Sequence, residues 1–277
     1  MADDFTTALN RIDGTILLAG AGKMGGAMLT GWLNAGVGLS RLAVIELHLS
    51  DDLRKLAALD LRINPTAAET GPLAALVIAV KPQTFDEAAK LLKPFVAPST
   101  LVVSIMAGMT IARLGGGVGG TVVRAMPNTP AAIGRGMTVA VAAPGVSNDQ
   151  RAFANALLRA TGAVEWVNDE ALMDAVTAVS GSGPAYIFLL AETLAQAGID
   201  AGLPADLAVK IARETVAGSG ELLHQSDLDA ATLRKNVTSP GGTTAAALDV
   251  LMGKEGMQQL MTQAIAAATR RSKELAK

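Results

Sequence analysis

A short apolar run followed by a glycine-rich turn constrains the fold of this chain more than any other feature. Residues 15–19, Thr-Ile-Leu-Leu-Ala, have the length and composition of a buried strand, and Gly-Ala-Gly-Lys-Met-Gly follows at 20–25. Residues 24–35 then show helical spacing. Such glycines permit a tight turn, a close approach of backbone to a pyrophosphate and the packing of helix on strand. The segment therefore predicts a dinucleotide-binding loop at a helix N-terminus.

Strand-like and helix-like patterns alternate through the first half of the chain. Further runs of strand type occur at residues 42–45, 76–80, 101–104, 121–125, 136–142 and 163–166. Helical patterns, such as those at residues 84–92 and 150–160, separate several of them. Strands alternating with helices predict parallel βαβ units with right-handed crossovers. We therefore expect an α/β fold with an N-terminal Rossmann-type, doubly wound sheet. A glycine cluster at 115–120 follows no strand-like run, and we interpret it as a flexible surface loop.

Beyond residue 167 the strand-like runs stop and long patterns rich in alanine and leucine take over. They predict two domains, a dinucleotide-binding domain at 1–167 and an all-helical domain at 168–277. Aromatic residues make up only 3% of the chain, so its helices bury little area per residue. This composition favours oligomerisation, because the helices need partner surface.

Composition and charge exclude several classes of function. The formal net charge is −2 and the basic residues form no cluster, which argues against a nucleic-acid partner. No cysteine is present, so disulfides and thiolate metal sites are excluded, and no His/Asp/Glu cluster has metal-ligand spacing. The acidic start, Met1 to Asp4, lacks the pattern of a signal peptide, and no apolar run is long enough to span a bilayer. We expect a soluble, cytoplasmic protein without a metal or a membrane partner.

Glu46 ends the second predicted strand. A carboxylate at this position accepts hydrogen bonds from the adenosine ribose and repels a 2′-phosphate, so Glu46 favours NADH over NADPH. The alternative is a solvated acid at a strand end. Ligands of open α/β sheets bind beyond the carboxyl ends of the strands. This places Ala-Val-Lys-Pro at 79–82 and the turn after residue 104 beside the cofactor, although Lys81 alone is also compatible with an ordinary surface lysine.

The segment Val-Thr-Ser-Pro-Gly-Gly-Thr-Thr at 237–244 precedes a helical pattern. Its proline and glycines are typical of a tight turn, and the unpaired amides of the helix that follows can bind a carboxylate. Thr243 and Thr244 are expected to supply hydroxyl caps to that helix. An ordinary turn with an N-cap is the alternative.

Five motifs occur in a characteristic order: Gly-Ala-Gly-Lys-Met-Gly, Ala-Val-Lys-Pro, Met-Pro-Asn-Thr-Pro, Ser-Gly-Ser-Gly-Pro-Ala-Tyr and Val-Thr-Ser-Pro-Gly-Gly-Thr-Thr. With them the chain resembles pyrroline-5-carboxylate reductase from residue 14 to about residue 275. The resemblance implies a Rossmann domain, a helical domain that intertwines into a homodimer, and further assembly into a decamer in many members. It also implies reduction of the cyclic imine 1-pyrroline-5-carboxylate to L-proline, the last step of proline biosynthesis, by NADPH or NADH.

The resemblance also implies which residues form the site. Thr244 matches a hydroxyl placed near the ring nitrogen and is the candidate catalytic residue. The substrate contacts carried over are Glu170, Asn236, Ser239, Gly241, Gly242, Thr243 and Thr244. The cofactor contacts are Gly20, Ala21, Gly22, Lys23, Met24, Gly25, Glu46, Ala79, Val80, Lys81, Pro82, Met106 and Ala107. At Thr243 the family often has alanine, so the backbone carries over but its hydroxyl does not.

Three alternatives to this function remain at the level of sequence. Another cyclic imine could be the substrate, since pocket shape decides ring size. A hydroxyacid dehydrogenase of related architecture would place a lysine after the glycine motif at 180–184, where this chain has none. A catalytically silent dinucleotide sensor would not need the carboxylate-binding turn. His48 and His224 are interpreted as surface or structural residues, and the residue that donates the proton is not identified.

Overall fold

The computed structural model describes residues 4–11 and 13–275. Met1 to Asp3, which carry most of the N-terminal segment considered above, lie outside these residues. The chain divides into two compact units, the first comprising the described residues up to Gly181 and again from Thr269, and the second comprising Ser182–Ala268. The sequence predicts the domain boundary after residue 167, whereas the first compact unit continues to Gly181. The segment between them belongs to the first unit, in which Met173 is buried against Val139 and Val141.

The first unit is an eight-stranded sheet with helices on both faces. Its strands are β1 Thr15–Ala19, β2 Leu42–Ile45, β3 Arg62–Ile63, β4 Leu73–Ile78, β5 Leu101–Ser104, β6 Thr121–Met126, β7 Gly136–Ala142 and β8 Gly162–Val167. Their order is β3-β2-β1-β4-β5-β6-β7-β8, and every neighbouring pair is parallel except β6 with β7. The Rossmann-type, doubly wound sheet predicted from the sequence is confirmed.

The helices of the first unit follow the predicted alternation. They are α1 Asp4–Arg11, α2 Lys23–Asn34, α3 Asp51–Ala57, α4 Ala67–Thr70, α5 Phe85–Leu92, α6 Ile111–Val118, α7 Asn148–Arg159 and α8 Met173–Val176. Successive side chains of a strand point to opposite faces of the sheet. Ile16 and Leu18 therefore pack with Trp32 in one core cluster, while Leu17 packs with Phe85 in the other.

The strand order reverses between β1 and β4, and this position sets the location of the ligand site. β2 pairs with one edge of β1 and β4 pairs with the other. The amide of Ala79, just beyond β4, donates to the carbonyl of Ala19 at 2.7 Å. The amide of Gly20 donates to the carbonyl of Ile45 at 2.9 Å. The segments after β1, β2 and β4 thus begin side by side, at the topological switch point where open α/β sheets bind ligands.

The glycine cluster at 115–120 is not the flexible loop that its composition suggested. Residues up to Val118 continue α6, and only Gly119 and Gly120, both with positive φ, lie beyond it. A Cβ added to Gly117 would lie 2.8 Å from Cζ of Phe85. The glycine is there because α6 packs closely against a buried aromatic ring, and this tertiary contact overrides the low helix propensity of glycine.

The second unit is helical, as the sequence predicts. Its helices are α9 Gly183–Asp200, α10 Ala205–Gln225, α11 Ala230–Asn236, α12 Thr243–Leu251 and α13 Met257–Leu275, the last of which ends within the first unit. Pro184 occupies the first turn of α9, where its missing N–H costs no hydrogen bond. None of the described helices is long and apolar enough to cross a membrane.

Candidate active site

Three glycines lie where β1 leads into α2, with Gly20 and Gly22 in the loop and Gly25 in the first turn of the helix, and each has its own steric reason. Gly20 has a φ of 89°, and a Cβ there would lie 2.8 Å from the carbonyl oxygen of Ala79. A Cβ on Gly25 would overlap the carbonyl oxygen of Gly20. A Cβ on Gly22 would instead meet no atom within 4 Å, so this backbone borders open space. Gly20 and Gly25 permit the fold, and Gly22 leaves room for a ligand.

Gly22 is also the N-cap residue of α2, and no side chain caps this helix. The first amides of a helix have no acceptor within the helix and carry the positive end of its dipole. Lys23 and Met24 belong to this first turn, and the Lys23 side chain is exposed. An uncapped helix end facing open space through a glycine fits the pyrophosphate of a dinucleotide.

Glu46, just after β2, contacts this loop directly. Its Oε2 accepts a hydrogen bond from the amide of Ala21 at 2.8 Å, and its Oε1 accepts one from the amide of His48 at 3.0 Å. The half-buried carboxylate is therefore bound by two backbone amides, and its contact with a cofactor stays a prediction. Each carboxylate oxygen can accept a second hydrogen bond, so both remain able to accept from a ribose hydroxyl.

The segments after β4 and β5 complete this edge of the sheet. The amide and hydroxyl of Thr84 both donate to the carbonyl of Lys81, at 3.0 and 2.9 Å, which closes the turn that contains Pro82. The Lys81 side chain is exposed. After β5, Met106 is buried and its amide donates to the hydroxyl of Ser104 at 3.3 Å, whereas Ala107 is exposed. The predicted contacts Ala79, Val80 and Ala107 thus follow strands β4 and β5 at the edge that also carries the glycine loop.

Two further polar groups of the first unit are engaged by the protein itself. Asn128, in the turn after β6, accepts from the amide of Met137 at 2.8 Å and donates to the hydroxyl of Ser180 at 3.3 Å. This turn therefore has a structural role. Ser180 lies in a π-helical turn, Thr177–Gly181, a rare geometry that often occurs near functional sites.

Glu170 forms an ion pair that the sequence did not indicate. Its Oε1 accepts from Nη1 of Arg124 at 2.8 Å and from the amide of Ile111 at 2.8 Å. Arg124 is 5% exposed, so its charge needs this partner. One oxygen of the Glu170 carboxylate is thus committed to the protein. Its predicted role in lining the substrate pocket rests on the remaining part of a side chain that is 32% exposed.

The turn before α12 differs from its predicted capping. Gly242, with φ −82° and ψ 174°, is the N-cap residue, and no side-chain hydroxyl caps the helix. Thr243 and Thr244 lie one and two positions further, inside the first turn. The predicted hydroxyl caps are therefore wrong, because the glycine already adopts the extended N-cap conformation.

Without a side-chain cap, the turn before α12 is better suited to bind a carboxylate. Gly241 has a φ of 68°, and the amide of Gly242 donates to the carbonyl of Ser239 at 3.1 Å, which closes a tight turn. The first helical amides and both threonine hydroxyls keep their donors, since no described residue accepts from them. Thr244 is half-buried, and Thr243 is exposed.

Asn236 is the last residue of α11 and is exposed. The start of this helix is capped by Asp229, whose carboxylate accepts from the amide of Thr232 at 3.0 Å. Hydrogen bonds from the backbone and then the hydroxyl of Thr232 hold the pKa of the Asp229 carboxyl below its ordinary value.

Among the residues that the structure describes, no group of three or more acidic or histidine side chains could hold a metal ion.

Sequence reasoning missed two polar residues that support the predicted site. Asn64 hydrogen bonds to both backbone groups of Glu46. Arg124 binds Glu170. A weak signal existed for each, because Asn before Pro65 favours a turn and an arginine within an apolar strand needs a buried acceptor. Neither signal identifies the partner.

Comparison with known proteins gives consistent matches. A model described as pyrroline-5-carboxylate reductase dimerisation matches residues 170–275, and one described as NADP oxidoreductase, coenzyme F420-dependent, matches residues 15–108. A pyrroline-5-carboxylate reductase of Synechocystis is 45% identical over 78% of this chain and 80% of its own length. The solved pyrroline-5-carboxylate reductase of Coxiella burnetii has a TM-score of 0.87 and 32% identity over 95% of this chain and 99% of that chain. A Plasmodium falciparum pyrroline carboxylate reductase solved with NADP has a TM-score of 0.79 and 29% identity over 96% and 99% of the two chains.

Proposed function

Because the chain belongs to the pyrroline-5-carboxylate reductase family, we propose that it reduces the C=N bond of 1-pyrroline-5-carboxylate to give L-proline. The reductant is NADH or NADPH, as expected for an oxidoreductase that acts on an imine. The reaction is the final step of proline biosynthesis. Hydride adds to C5 of the ring, and the nitrogen carries the proton that makes the imine electrophilic.

The observation that carries this proposal is the uncapped start of α12. Gly242 holds the turn without using a side chain, so the amides of Thr243 and Thr244 remain available as donors. A pyrroline carboxylate presents one anionic group, and a helix N-terminus with free amides is suited to bind it. We propose that the backbone of Ser239 to Thr244 holds the substrate carboxylate, with Gly241 permitting the turn by its positive φ.

The hydroxyl of Thr244 is the proposed catalytic contact. It is half-buried and free of any partner in the described residues, so it can hydrogen-bond to the ring nitrogen and orient the imine. Asn236 and Glu170 are proposed to line the pocket. Catalysis of this kind depends mainly on orientation and charge placement, which is consistent with a site lacking an obvious acid–base pair.

The cofactor is proposed to bind across the edge formed by Gly20 to Gly25, Ala79 to Pro82 and Met106-Ala107. A reduced nicotinamide supplies the hydride when bound. The amides at the start of α2 would hold the pyrophosphate, because Gly22 leaves the space for it. Glu46 would accept from the adenosine ribose and disfavour a 2′-phosphate, so we propose a preference for NADH.

The assembly and the location of the protein are further parts of the proposal. We propose a homodimer built by the helical region, with a homodecamer as the larger assembly. The absence of cysteine is compatible with a reducing cytoplasm, where we propose that the enzyme works.

The direct test is to mix the purified protein with 1-pyrroline-5-carboxylate and follow the absorbance of NADH and of NADPH in parallel. Consumption of reduced cofactor with proline as the product is the expected result. Cofactor binding without consumption would contradict the proposal and favour a dinucleotide sensor. Consumption only with imines of another ring size would retain the reaction type and replace the substrate.

A second test concerns the cofactor preference. Replacing Glu46 with serine removes the negative charge beside the ribose site, so the Glu46→Ser variant should bind NADPH relatively better. The ratio of the dissociation constants for NADH and NADPH, measured by fluorescence, should shift toward NADPH by about tenfold or more, as expected for the loss of one charged contact. An unchanged ratio would remove Glu46 from cofactor selection.

A further inference from the structure

Asn64 holds the backbone of Glu46 at two points. Its Oδ1 accepts from the Glu46 amide at 2.9 Å, and its Nδ2 donates to the Glu46 carbonyl at 2.9 Å. The two residues follow neighbouring parallel strands, since β2 pairs with β3. One side-chain amide therefore satisfies both polar backbone groups of the residue that ends β2.

The carboxylate of the same residue is fixed by two further bonds. Its two oxygens accept from the amides of Ala21 and His48, at 2.8 and 3.0 Å. Backbone and side chain of Glu46 are thus both held, and the carboxylate is oriented toward the glycine loop. A carboxylate fixed in this way presents its remaining lone pairs in one direction, whereas a mobile one would turn toward solvent.

Asn64 adopts a conformation that most residues avoid. Its φ is 49°, in the left-handed region, and its amide donates to the carbonyl of Val44 at 2.8 Å. Asparagine enters this region more readily than most other non-glycine residues. The conformation turns the side-chain amide back onto Glu46, so the unusual backbone and the two-point contact are parts of one arrangement.

We propose that Asn64 is a positioning residue that sets the preference for NADH over NADPH by holding Glu46 in place. The inference rests on the proposed role of Glu46 in cofactor selection and adds a residue that touches neither substrate nor reacting atoms. With Asn64 in place, the Glu46 carboxylate accepts from a ribose hydroxyl at little entropic cost and repels a 2′-phosphate at a fixed position. Without it, both effects weaken.

The test uses the variant Asn64→Gly, which keeps the left-handed backbone accessible and removes the side-chain amide. Equilibrium binding of NADH and of NADPH is measured by fluorescence, together with the temperature of unfolding. The ratio of the two dissociation constants should shift toward NADPH by about fivefold, less than for Glu46→Ser, because the carboxylate keeps its charge and loses only its fixed position. The matched control is Asp60→Gly, at another exposed residue with positive φ, 71°, and it should leave the ratio unchanged.

The double variant Glu46→Ser/Asn64→Gly separates this inference from the cofactor proposal. If Asn64 acts through Glu46, its substitution adds no further shift once Glu46 is serine. A shift with Glu46→Ser but none with Asn64→Gly would overturn the inference and leave the cofactor proposal intact. No shift with either would overturn both. An equal weakening of NADH and NADPH binding by Asn64→Gly would also overturn the inference, because it would show a merely structural role.

Discussion

The two compact units differ in how far they bury their large apolar side chains. In the first unit Trp32, Phe85 and Phe153 are almost completely buried around the sheet. In Ser182–Ala268 the buried apolar residues are small: Ala195, Ala208 and Ala212. The exposed ones are large, among them Ile187, Phe188, Leu189, Leu190, Leu194, Leu207, Val209, Ile211, Leu222, Leu223, Val250, Leu251 and Leu260.

The difference indicates that the units are stabilised in different ways. A sheet covered by helices on both faces encloses its own core. A helix that is apolar around its whole circumference, as α9 is at residues 187–190, is stable only when other surface covers it. The match of residues 170–275 to a dimerisation model agrees with this. We therefore propose that oligomerisation completes the core of the second unit, while the first unit encloses its own core.

The largest effect is expected from a pair of charge substitutions at equally exposed residues, one in each unit, which tests whether the units differ in their need for partner surface. Phe188 in α9 and Leu91 in α5 are both 62% exposed in the single chain. Phe188→Glu should prevent assembly, lower the melting temperature strongly and abolish most activity, because it places a charge in surface that a partner covers. Leu91→Glu should leave all three within error. Light scattering after gel filtration and thermal unfolding measure the effect. Equal behaviour of the two variants would contradict the proposed difference between the units.

A second prediction concerns the division of binding between the units. Thr244→Ala removes the hydroxyl proposed to orient the imine, so kcat should fall by about 10- to 100-fold, as for the loss of one hydrogen bond to a charged group. The dissociation constant for NADH should not change. Thr243→Ala is the matched control in the next position and should retain kcat within about threefold, since only its backbone is proposed to contribute. Similar losses in both variants would indicate a general disturbance of the turn.

A third prediction isolates the cofactor site of the first unit. A methyl group on Gly22 meets no protein atom within 4 Å, so Gly22→Ala should lower the melting temperature only slightly, because alanine is a poorer N-cap residue than glycine. It would crowd a bound pyrophosphate, and the dissociation constants for NADH and NADPH should both rise by about tenfold. Gly116→Ala, in an exposed turn of α6 with equally open space, should not alter cofactor binding. Unchanged binding in Gly22→Ala would move the pyrophosphate away from this loop.

The smallest expected effect is a pH dependence in the second unit. The Asp229 carboxyl has a pKa below its ordinary value because it accepts from Thr232. Its contribution to stability is therefore complete above about pH 4 and is lost as the pH falls through the lower pKa of the folded state. Asp229→Ala should lower the melting temperature at pH 7, and the difference from the parent chain should shrink toward pH 3. Asp227→Ala is the control, and an equal, pH-independent loss in both variants would contradict the capping role.

Much of the fold of the first unit could be predicted because its signals are local. The apolar run at 15–19, the glycines after it and the acidic Glu46 lie within one βαβ unit, and each meets a steric or electrostatic requirement of that unit. The strands 42–45 and 101–104 were predicted at their observed bounds for the same reason: a fully buried strand reads as a continuous apolar run. The alternation of strands and helices predicts the parallel sheet, but only the structure gives the strand order that places the switch point between β1 and β4.

What could not be predicted depends on contacts between distant residues. The helix at 115–118 is possible because Gly117 packs on Phe85, a contact that glycine content alone does not reveal. Arg124 pairs with Glu170, and Glu46 pairs with Asn64. No regular spacing in the sequence links the two residues of either pair. At the turn before α12, the sequence identified the segment correctly and assigned the cap to the wrong residue, because glycine and threonine both occur at N-caps and only the backbone angles decide.

The measurement that tests the central claim most directly is isotope transfer. The protein is incubated with 1-pyrroline-5-carboxylate and NADH carrying deuterium at both positions of C4, and the product is analysed by NMR and mass spectrometry. Reduction of the imine by hydride transfer predicts L-proline with one deuterium, located on C5. Proline without deuterium at C5, or the absence of proline despite saturating cofactor, would contradict the account.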